Sequence, residues 1–378
     1  MRRVCWIFEF PTINGGENSL LACADEIAAA GFEIGALCPA GGALSEELAR
    51  RGVEVVDFQV RNPTTGAKFP QQQLRDQLSN RLTAMQADLV HANSLAMGRL
   101  VGPVTESLGI PAIGHLRDIV KLSATAVCDL NRLDRILAVS AATRDTHLRQ
   151  GLDAKRSYVQ FNGIDLDLFR PAPQTGWLHE ELELPADAQL VGAIGQLVIR
   201  KGHEVFLQAA ARIAEQCPRA HFLVIGDCYS GKEEALAHWR GLQQAVAEPP
   251  LVDRASLLGH RDDVREVLTE LSLLVHTARQ EPLGRVLLEA AACGVPVVAT
   301  EVGGTSEIFP PETESAVLVS ADDAQVVALE MRRLLEDDQA RLRLGENARR
   351  RAEAAFDIRQ AGPALVKHYL SVAEGGSR

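Results

Sequence analysis

Two carboxylates bracket the segment whose residue types best suit chemistry. Glu281 and Glu289 stand eight residues apart, and an otherwise apolar run surrounds the second. Pro282 suits the first turn of a helix and Gly294 its end, so the spacing predicts one helix with both carboxylates on roughly one side. Because an unpaired buried carboxylate is costly, Glu289 must pair with a neighbouring Arg, bind a ligand or lie at a cleft edge.

Two other segments place suitable groups just after predicted strands. Arg200 and Lys201 lie where a loop enters a helix, and there the cations and the helix dipole can hold a diphosphate. The alternative is an exposed basic pair, which the dipole disfavours. Gly303-Gly304 follows another strand and lets the backbone approach a ligand.

Histidines end two neighbouring strands in the first half of the chain. His91 precedes Asn93, and His115 precedes Arg117. Imidazole suits hydrogen bonding and proton transfer near neutral pH, although such histidines are as often purely structural. The earlier Gly15-Gly16 turn is equally compatible with a tight βα turn and with ligand contact.

Alternating strands and helices must position these residues. The apolar, β-branched runs predict parallel strands at Val4–Phe8, Glu33–Leu37, Val53–Val56, Leu89–His91, Ala112–Gly114, Arg135–Val139, Tyr158–Phe161, Leu190–Ile194, His221–Ile225, Ala255–Leu258, Leu273–His276, Val295–Ala299 and Ala316–Val319. Predicted helices include Asn18–Ala30, Leu95–Leu108 and His203–Ile213, and the chain is predicted to be helical from Asp322 onward. The fold class is therefore α/β, with two doubly wound, Rossmann-like domains.

The proline pair Pro171 and Pro173 marks a boundary, which predicts domains at 1–170 and 171–356 and a C-terminal helix within 357–378. Ligands of open parallel sheets bind beyond the carboxyl ends of the strands, so loops of both domains are expected around one cleft.

Composition narrows the class of protein. The formal net charge of −11 argues against a nucleic-acid binder. The seven cysteines form no C-x-x-C pair, which predicts reduced thiols, a cytoplasmic location and no zinc site. No apolar run approaches the roughly 18–20 residues of a membrane span, so any membrane contact is expected to be peripheral.

The combined motifs resemble the large retaining glycosyltransferase family 4, or glycosyl transferase group 1, which has the GT-B fold. The resemblance begins with E-x7-E from Glu281 to Glu289, a following A-x-x-x-G-x-P-V-V-A-T stretch and a Gly-Gly-x-x-Glu loop. Five further segments match in the right order, and these are Gly15-Gly16, His115, Asn162–Asp165, Lys201-Gly202 and Leu258–Asp263. The matches extend over residues 15–310, most of the chain.

The resemblance implies transfer of a hexose-type sugar from a nucleoside-diphosphate sugar, most often a UDP- or GDP-sugar, to a glycan, lipid-linked or small-molecule acceptor. The implied catalytic residues are His115, Glu281 and Lys201. The implied donor-binding residues are Gly16, Gln196, Arg200, Lys201, Glu281, Leu283, Gly284, Arg285, Glu289, Gly303 and Gly304. The implied acceptor-side residues are His91, Asn93 and Arg117, and the final helix is expected to cross back to the N-terminal domain.

In detail, the resemblance implies that Lys201 binds the donor diphosphate and Glu289 the ribose hydroxyls. Glu281 and His115 would contact the transferred sugar. The family usually retains anomeric configuration without a metal, so no cofactor and no metal ion is expected. One position departs from the family pattern, since Gln196 stands where an Arg is frequent; Arg200 could supply that charge.

Three alternatives share the fold, which does not fix chemistry. They are a sugar-nucleotide epimerase, a phosphorylase and a non-catalytic nucleotide-sugar-binding protein. A nicotinamide dehydrogenase is disfavoured because G-x-G-x-x-G is absent. For the acceptor, Arg61, Lys68, Arg75 and Arg81 predict an anionic-acceptor groove, a membrane-facing surface or merely a solvated helix face.

Overall fold

The computed structural model describes residues 1–229 and 231–375 and divides the chain into two compact units. The first unit contains Met1–Gly163 and the segment that begins at Ile358, and the second contains Ile164–Asp357. The chain thus leaves the first unit a few residues before the boundary predicted at residue 170. It re-enters that unit next to the boundary predicted at 356.

The first unit is built on a parallel sheet of seven strands in the order β3-β2-β1-β4-β5-β6-β7. The strands are β1 (Arg2–Ile7), β2 (Phe32–Cys38), β3 (Glu54–Asp57), β4 (Leu89–Ala92), β5 (Ala112–Leu116), β6 (Arg135–Ala138) and β7 (Ser157–Val159). The helices of this unit before the second unit are α1 (Gly15–Leu21), α2 (Ala24–Ala29), α3 (Ala43–Arg50), α4 (Gln71–Ala84), α5 (Leu95–Leu108), α6 (Ala124–Leu130) and α7 (Ala141–Leu148). Strand order reverses between β1 and β4, and the crevice at such a reversal is where open α/β sheets bind ligands.

The single helix predicted over Asn18–Ala30 is wrong, because the chain forms the separate helices α1 and α2. At Cys23 the backbone leaves the helical region, with φ −92° and ψ 1°. The Cys23 N–H donates to the Leu20 carbonyl at 3.0 Å, which tightens the last turn of α1. The predicted helix Leu95–Leu108 is confirmed as α5.

The second unit repeats this plan with six parallel strands in the order β10-β9-β8-β11-β12-β13. The strands are β8 (Gln189–Ile194), β9 (Ala220–Ile225), β10 (Ala255–Gly259), β11 (Leu273–His276), β12 (Val297–Thr300) and β13 (Val317–Val319). The helices are α8 (Trp177–Glu181), α9 (His203–Ile213), α10 (Glu233–Ala247), α11 (Val264–Glu270), α12 (Arg285–Cys293), α13 (Thr305–Ile308), α14 (Ala324–Glu336) and α15 (Asp338–Ala355), with 3₁₀ turns at Ile199–Lys201 and Pro311–Thr313. Here the strand order reverses between β8 and β11.

A buried carboxylate fastens the segment that leads into the second unit. Glu270, at the end of α11, accepts hydrogen bonds from the Thr175 N–H at 2.7 Å, the Thr175 hydroxyl at 2.9 Å and the Gly176 N–H at 3.0 Å. The proline-containing stretch before α8 is therefore anchored rather than a free linker.

The last helix, α16 (Ile358–Glu374), packs in the core of the first unit. Its Tyr369 side chain is fully buried and lies edge-on to Phe32, with ring centroids 5.6 Å apart. The Trp6 indole N–H donates to the Tyr369 hydroxyl at 3.1 Å. Hydrophobic burial thus ties the C-terminal helix to β1 and β2. Within the described residues, no helix combines the length and apolarity that a membrane crossing needs.

Candidate active site

The second unit gathers its polar side chains at the strand-order reversal between β8 and β11. The Lys201 ammonium, which follows β8, forms an ion pair with Glu281 Oε2, and His276 Nε2 lies 2.8 Å from the same oxygen. The side chains of Lys201, Glu281 and His276 are only 13%, 6% and 3% exposed. The site thus holds a compact, largely desolvated charge pair at the carboxyl ends of the strands.

Protonation in this group follows from burial and pairing. Burial alone would raise the pKa of the Glu281 carboxyl, but the Lys201 charge and the His276 hydrogen bond hold that pKa below its ordinary value. Burial lowers the pKa of His276 despite the neighbouring carboxylate. At neutral pH Glu281 is therefore ionised, and a neutral His276 donates its Nε2–H to it.

The loop after β12, which contains Gly303 and Gly304, packs against the backbone of Glu281. The Gly304 N–H donates to the Glu281 carbonyl at 2.9 Å. Gly303 has φ +56°, and a Cβ atom there would lie 1.9 Å from the same carbonyl oxygen. Only glycine fits this approach, so Gly303-Gly304 fixes where the Glu281 side chain begins.

A second glycine fixes Lys201. Gly202 has φ +67°, and a Cβ there would lie 2.0 Å from the Thr277 carbonyl oxygen. The Thr277 hydroxyl donates to the Gly202 carbonyl at 2.8 Å, and the Arg279 N–H donates to the Arg200 carbonyl at 2.8 Å. The loops after β8 and β11 are thereby bonded to each other, which places Lys201 against Glu281.

The helix predicted to begin at Pro282 begins instead at Arg285, and the prediction that Glu281 and Glu289 share one helix face is wrong. Gly284 has φ +103°, so the chain turns sharply before α12 and leaves Glu281 in the loop. Within the described part of the chain, the backbone N–H groups of Leu283 and Gly284 have no hydrogen-bond acceptor. They are available to a ligand.

Glu289 lies one turn inside α12 and is nearly buried. Arg285 Nε donates to its Oε1 at 2.7 Å, the pairing that the sequence offered as one of three outcomes. Burial raises the pKa of Glu289, and Arg285 partly opposes this. Gln196 and Arg200 have exposed side chains on the loop after β8.

In the first unit the corresponding reversal carries two histidines. His91 is the penultimate residue of β4 and His115 lies in β5, and their rings stack with centroids 5.6 Å apart. His91 is completely buried, and its Nδ1 lies 2.6 Å from the Tyr369 hydroxyl. This histidine, predicted on the acceptor side, is therefore part of the core that α16 closes.

Arg117 connects the remaining predicted residues of this unit. Its guanidinium lies 2.9 Å from Asn93 Oδ1, 2.8 Å from Asn162 Oδ1 and 3.1 Å from His115 Nδ1. A Cβ on Gly16 would approach Arg117 Cδ to 2.8 Å, so the glycine at this helix start leaves room for the arginine. Gly16, Asn93, His115 and Arg117 thus form one cluster.

Comparison with known proteins decides the family. Residues 13–168 match the family model Glycosyltransferase Family 4, and residues 177–351 match Glycosyl transferases group 1. The D-inositol 3-phosphate glycosyltransferase of Xylanimonas cellulosilytica is 30% identical over 310 residues, which are 75% of this chain and 71% of that protein. The chain belongs to glycosyltransferase family 4.

The chain is also similar to a solved structure and to a further relative by sequence. Anabaena Alr3699/HepE, whose structure contains UDP-glucose, is 25% identical with a TM-score of 0.83, over 98% of this chain and 100% of that one. The lipopolysaccharide core biosynthesis mannosyltransferase LpsB of Rhizobium meliloti is 29% identical over 244 residues, 64% of this chain and 67% of LpsB. The chain is a glycosyltransferase with the two Rossmann-like domains of the GT-B fold.

Sequence reasoning missed two polar groups of this glycosyltransferase, one in the cluster of each unit. The predicted strands Leu273–His276 and Leu89–His91 both end in a histidine, so the strand-end pattern already contained the signal. Asn162 was noted only as part of a motif between the domains, and its contact with Arg117 depends on how β7 pairs beside β6. The second could not be read from local sequence.

Proposed function

We propose that this glycosyltransferase moves a hexose from a nucleoside-diphosphate sugar with retention of anomeric configuration and without a metal ion. The observation that carries the proposal is the buried Lys201–Glu281 pair at the carboxyl ends of β8 and β11. The leaving group would be an anion, so the chemistry needs positive charge that is already in place and shielded from water. The UDP-glucose complex of HepE supports a donor of this class.

The donor diphosphate would lie against three kinds of group. Lys201 supplies a fixed ammonium, Arg200 an exposed guanidinium, and Leu283 and Gly284 supply free backbone N–H donors at the start of α12. The helix dipole adds to the attraction for an anion. Glu289 would accept hydrogen bonds from the ribose hydroxyls, and Glu281 from a hydroxyl of the transferred sugar.

In the proposed step the acceptor oxygen bonds to the anomeric carbon on the face from which the diphosphate departs. The bond from that carbon to the diphosphate oxygen breaks, and its electron pair leaves with the diphosphate. The acceptor hydroxyl proton passes to the departing phosphate oxygen. The charges around Lys201 stabilise the diphosphate as it leaves, without a metal.

Thermal unfolding with candidate nucleotides tests the donor. Because a ligand at 100 times its Kd stabilises the folded state by about 2.7 kcal/mol, UDP or GDP is expected to raise the unfolding temperature by several degrees. ADP, CMP, TDP and NAD serve as comparisons. If only NAD raises the unfolding temperature, or if none of the nucleoside diphosphates does, the chain has no nucleotide-sugar site. The anomeric configuration of the product, measured by NMR, tests retention, and inversion would refute it.

We propose further that the acceptor carries an anionic group and binds in the first unit. A pocket of about 210 Å³ lies there, lined by Glu9, Lys68 and Arg99 and by apolar side chains such as Phe69 and Met97. A carboxylate suits sugar hydroxyls, an apolar wall suits the ring face, and two cations suit a phosphate or carboxylate. The D-inositol 3-phosphate transferases among the relatives support this chemistry.

The four cations singled out from the sequence behave differently. Only Lys68 lines the pocket, since Arg75 pairs with buried Asp129 at 2.9 Å and Arg61 donates to the Gly66 carbonyl at 2.9 Å. Arg81 is exposed on α4. Arg99, which sequence reasoning missed, lies on α5 and lines the pocket, and its guanidinium is 3.9 Å from the Asp129 carboxylate.

Lys68→Gln is expected to raise KM for a phosphorylated or uronate acceptor by about tenfold, because a charge-assisted hydrogen bond is lost. The nucleotide-induced thermal shift should not change. Steady-state kinetics with matched neutral and anionic acceptors measure the effect, and Lys155→Gln, an exposed lysine before β7, is the control. An equal loss with neutral acceptors would rule out the anionic group.

A further inference from the structure

Arg117 contacts the His115 ring in a way that determines where the imidazole carries its proton. Guanidinium Nη2 lies 3.1 Å from His115 Nδ1. Arginine has hydrogen-bond donors only and keeps its charge at any ordinary pH, so Nδ1 must be the acceptor. In a neutral imidazole with an accepting Nδ1, the hydrogen sits on Nε2.

The guanidinium is itself held in place. Arg117 Nη1 donates to Asn162 Oδ1 at 2.8 Å, Nη2 to Asn93 Oδ1 at 2.9 Å, and Nε to the Asn93 carbonyl at 3.2 Å. Because Gly16 has no side chain, the Cδ of Arg117 fits beside it. The loops after β4 and β7 and the first turn of α1 thus aim one N–H group at His115 Nδ1.

The ring is also kept uncharged. Burial, followed by the charge of Arg117, holds the pKa of His115 well below its ordinary value. Among the described residues, the charges of His91 and His368 also lower its pKa, and the Cys23 thiol lines the same small pocket. Burial lowers the pKa of His91 to about 3 and that of His368 to about 4, and it raises the pKa of Cys23 to about 12. Arg117 is therefore the one charged neighbour among them near pH 7.

We propose that Arg117 is a positioning residue that fixes His115 as the neutral Nε2–H tautomer, so that His115 donates a hydrogen bond to the transferred sugar and does not accept the acceptor's proton. This rests on the proposed function. His115 Nε2 is buried and makes no hydrogen bond of normal geometry within the described residues. The backbone of Gln160 offers the ring a weak hydrogen bond, and a sugar oxygen at Nε2 would give it a hydrogen bond of normal geometry. The proton then has the departing phosphate oxygen as its destination.

NMR of protein labelled with ¹⁵N-histidine reads the tautomer directly. In the wild type, His115, assigned by comparison with His115→Gln, is expected to show a protonated Nε2 and an unprotonated Nδ1, unchanged from pH 5.5 to 8.5. Arg117→Met keeps the length of the side chain and removes the donors, so mixed tautomers or a titrating ring are expected. A protonated Nδ1, or a titrating His115 in the wild type, would overturn the proposal.

The chain offers a matched control. Arg135 Nη1 lies 2.7 Å from His368 Nδ1, another Arg–His pair in the same unit. Arg135→Met should alter the His368 signals and leave those of His115 unchanged.

Kinetics give a second readout of the same role. Arg117→Met should give kcat a pH dependence that the wild type lacks, and Arg117→Lys should restore part of kcat. An unchanged kcat and pH profile in Arg117→Met would also count against the proposal. A tautomer as expected without any nucleotide-induced thermal shift would refute the proposed function alone.

Discussion

Lys201→Ala is expected to lower kcat/KM for the sugar donor by about 100-fold or more, the scale of losing one fixed charge in a desolvated site. Gln196→Ala is the matched control in the same loop, and we expect less than about a threefold effect. The exposed amide of Gln196 has no charge to contribute, whereas Lys201 is desolvated and aimed at Glu281. Steady-state kinetics with varied donor measure both. Comparable losses in the two variants would refute this division of roles.

The same substitution removes the partner of a buried carboxylate, so loss of folding must be separated from loss of chemistry. Breaking a buried ion pair at one partner costs about 3–5 kcal/mol. Adding Glu281→Gln to Lys201→Ala removes the uncompensated charge, and thermal unfolding should then recover much of the lost stability. The activity should not recover. Recovery of both would mean that Lys201 only stabilises the fold.

Gly303→Ala is expected to reduce the free energy of unfolding by at least about 2 kcal/mol, since strained backbone and a lost hydrogen bond both contribute. Its Cβ would lie 1.9 Å from the Glu281 carbonyl oxygen, so one of the two loops must move. Because a shift of about 1 Å at a reacting centre can cost about 100-fold in rate, activity should fall with it.

Gly176→Ala separates the collision from backbone strain. Gly176 lies in the same unit with φ +82°, and a Cβ there would have no neighbour within 4 Å. It should show only the cost of a left-handed alanine, about 1 kcal/mol, and retain activity. Thermal unfolding and kinetics on the three proteins give the comparison. Equal destabilisation by both substitutions would show that the contact with Glu281 does not matter.

The sheets of this protein are predictable from sequence because their central strands, such as β4, β5, β8 and β11, are buried on both faces. Every predicted strand has an observed counterpart within a few residues, from β1 to β13, because short apolar, β-branched runs between helices favour parallel strands. The helix predicted to begin directly after β11 was wrong because of contacts with residues distant in sequence. Pro282 and Gly294 suggest one helix, but Gly284 and the approach of Gly303 keep Glu281 in a loop.

For the candidate site, too, contacts between distant loops could not be predicted from local sequence. Lys201 and Glu281 were found because charged residues stand out after apolar strands, but their pairing requires Gly202 and Gly303 to dock on neighbouring loops. Arg117 was singled out because it follows His115 in sequence. Its hydrogen bond to Asn162 joins residues 45 positions apart and could not be predicted in this way. Residue type indicates which groups carry chemistry, while partners depend on packing between distant loops.

The position of α16 determines the order in which the units can fold during synthesis. Trp6 and Tyr369 are 363 positions apart in sequence, yet they share a hydrogen bond in one core. The second unit needs only residues 164–357, and its ends lie side by side, since the Ile164 N–H donates to the Phe356 carbonyl at 2.7 Å. The first unit leaves the ribosome first but completes its core last, because α16 is synthesised after the second unit. Until α16 packs, one apolar face of β1 and β2 remains exposed.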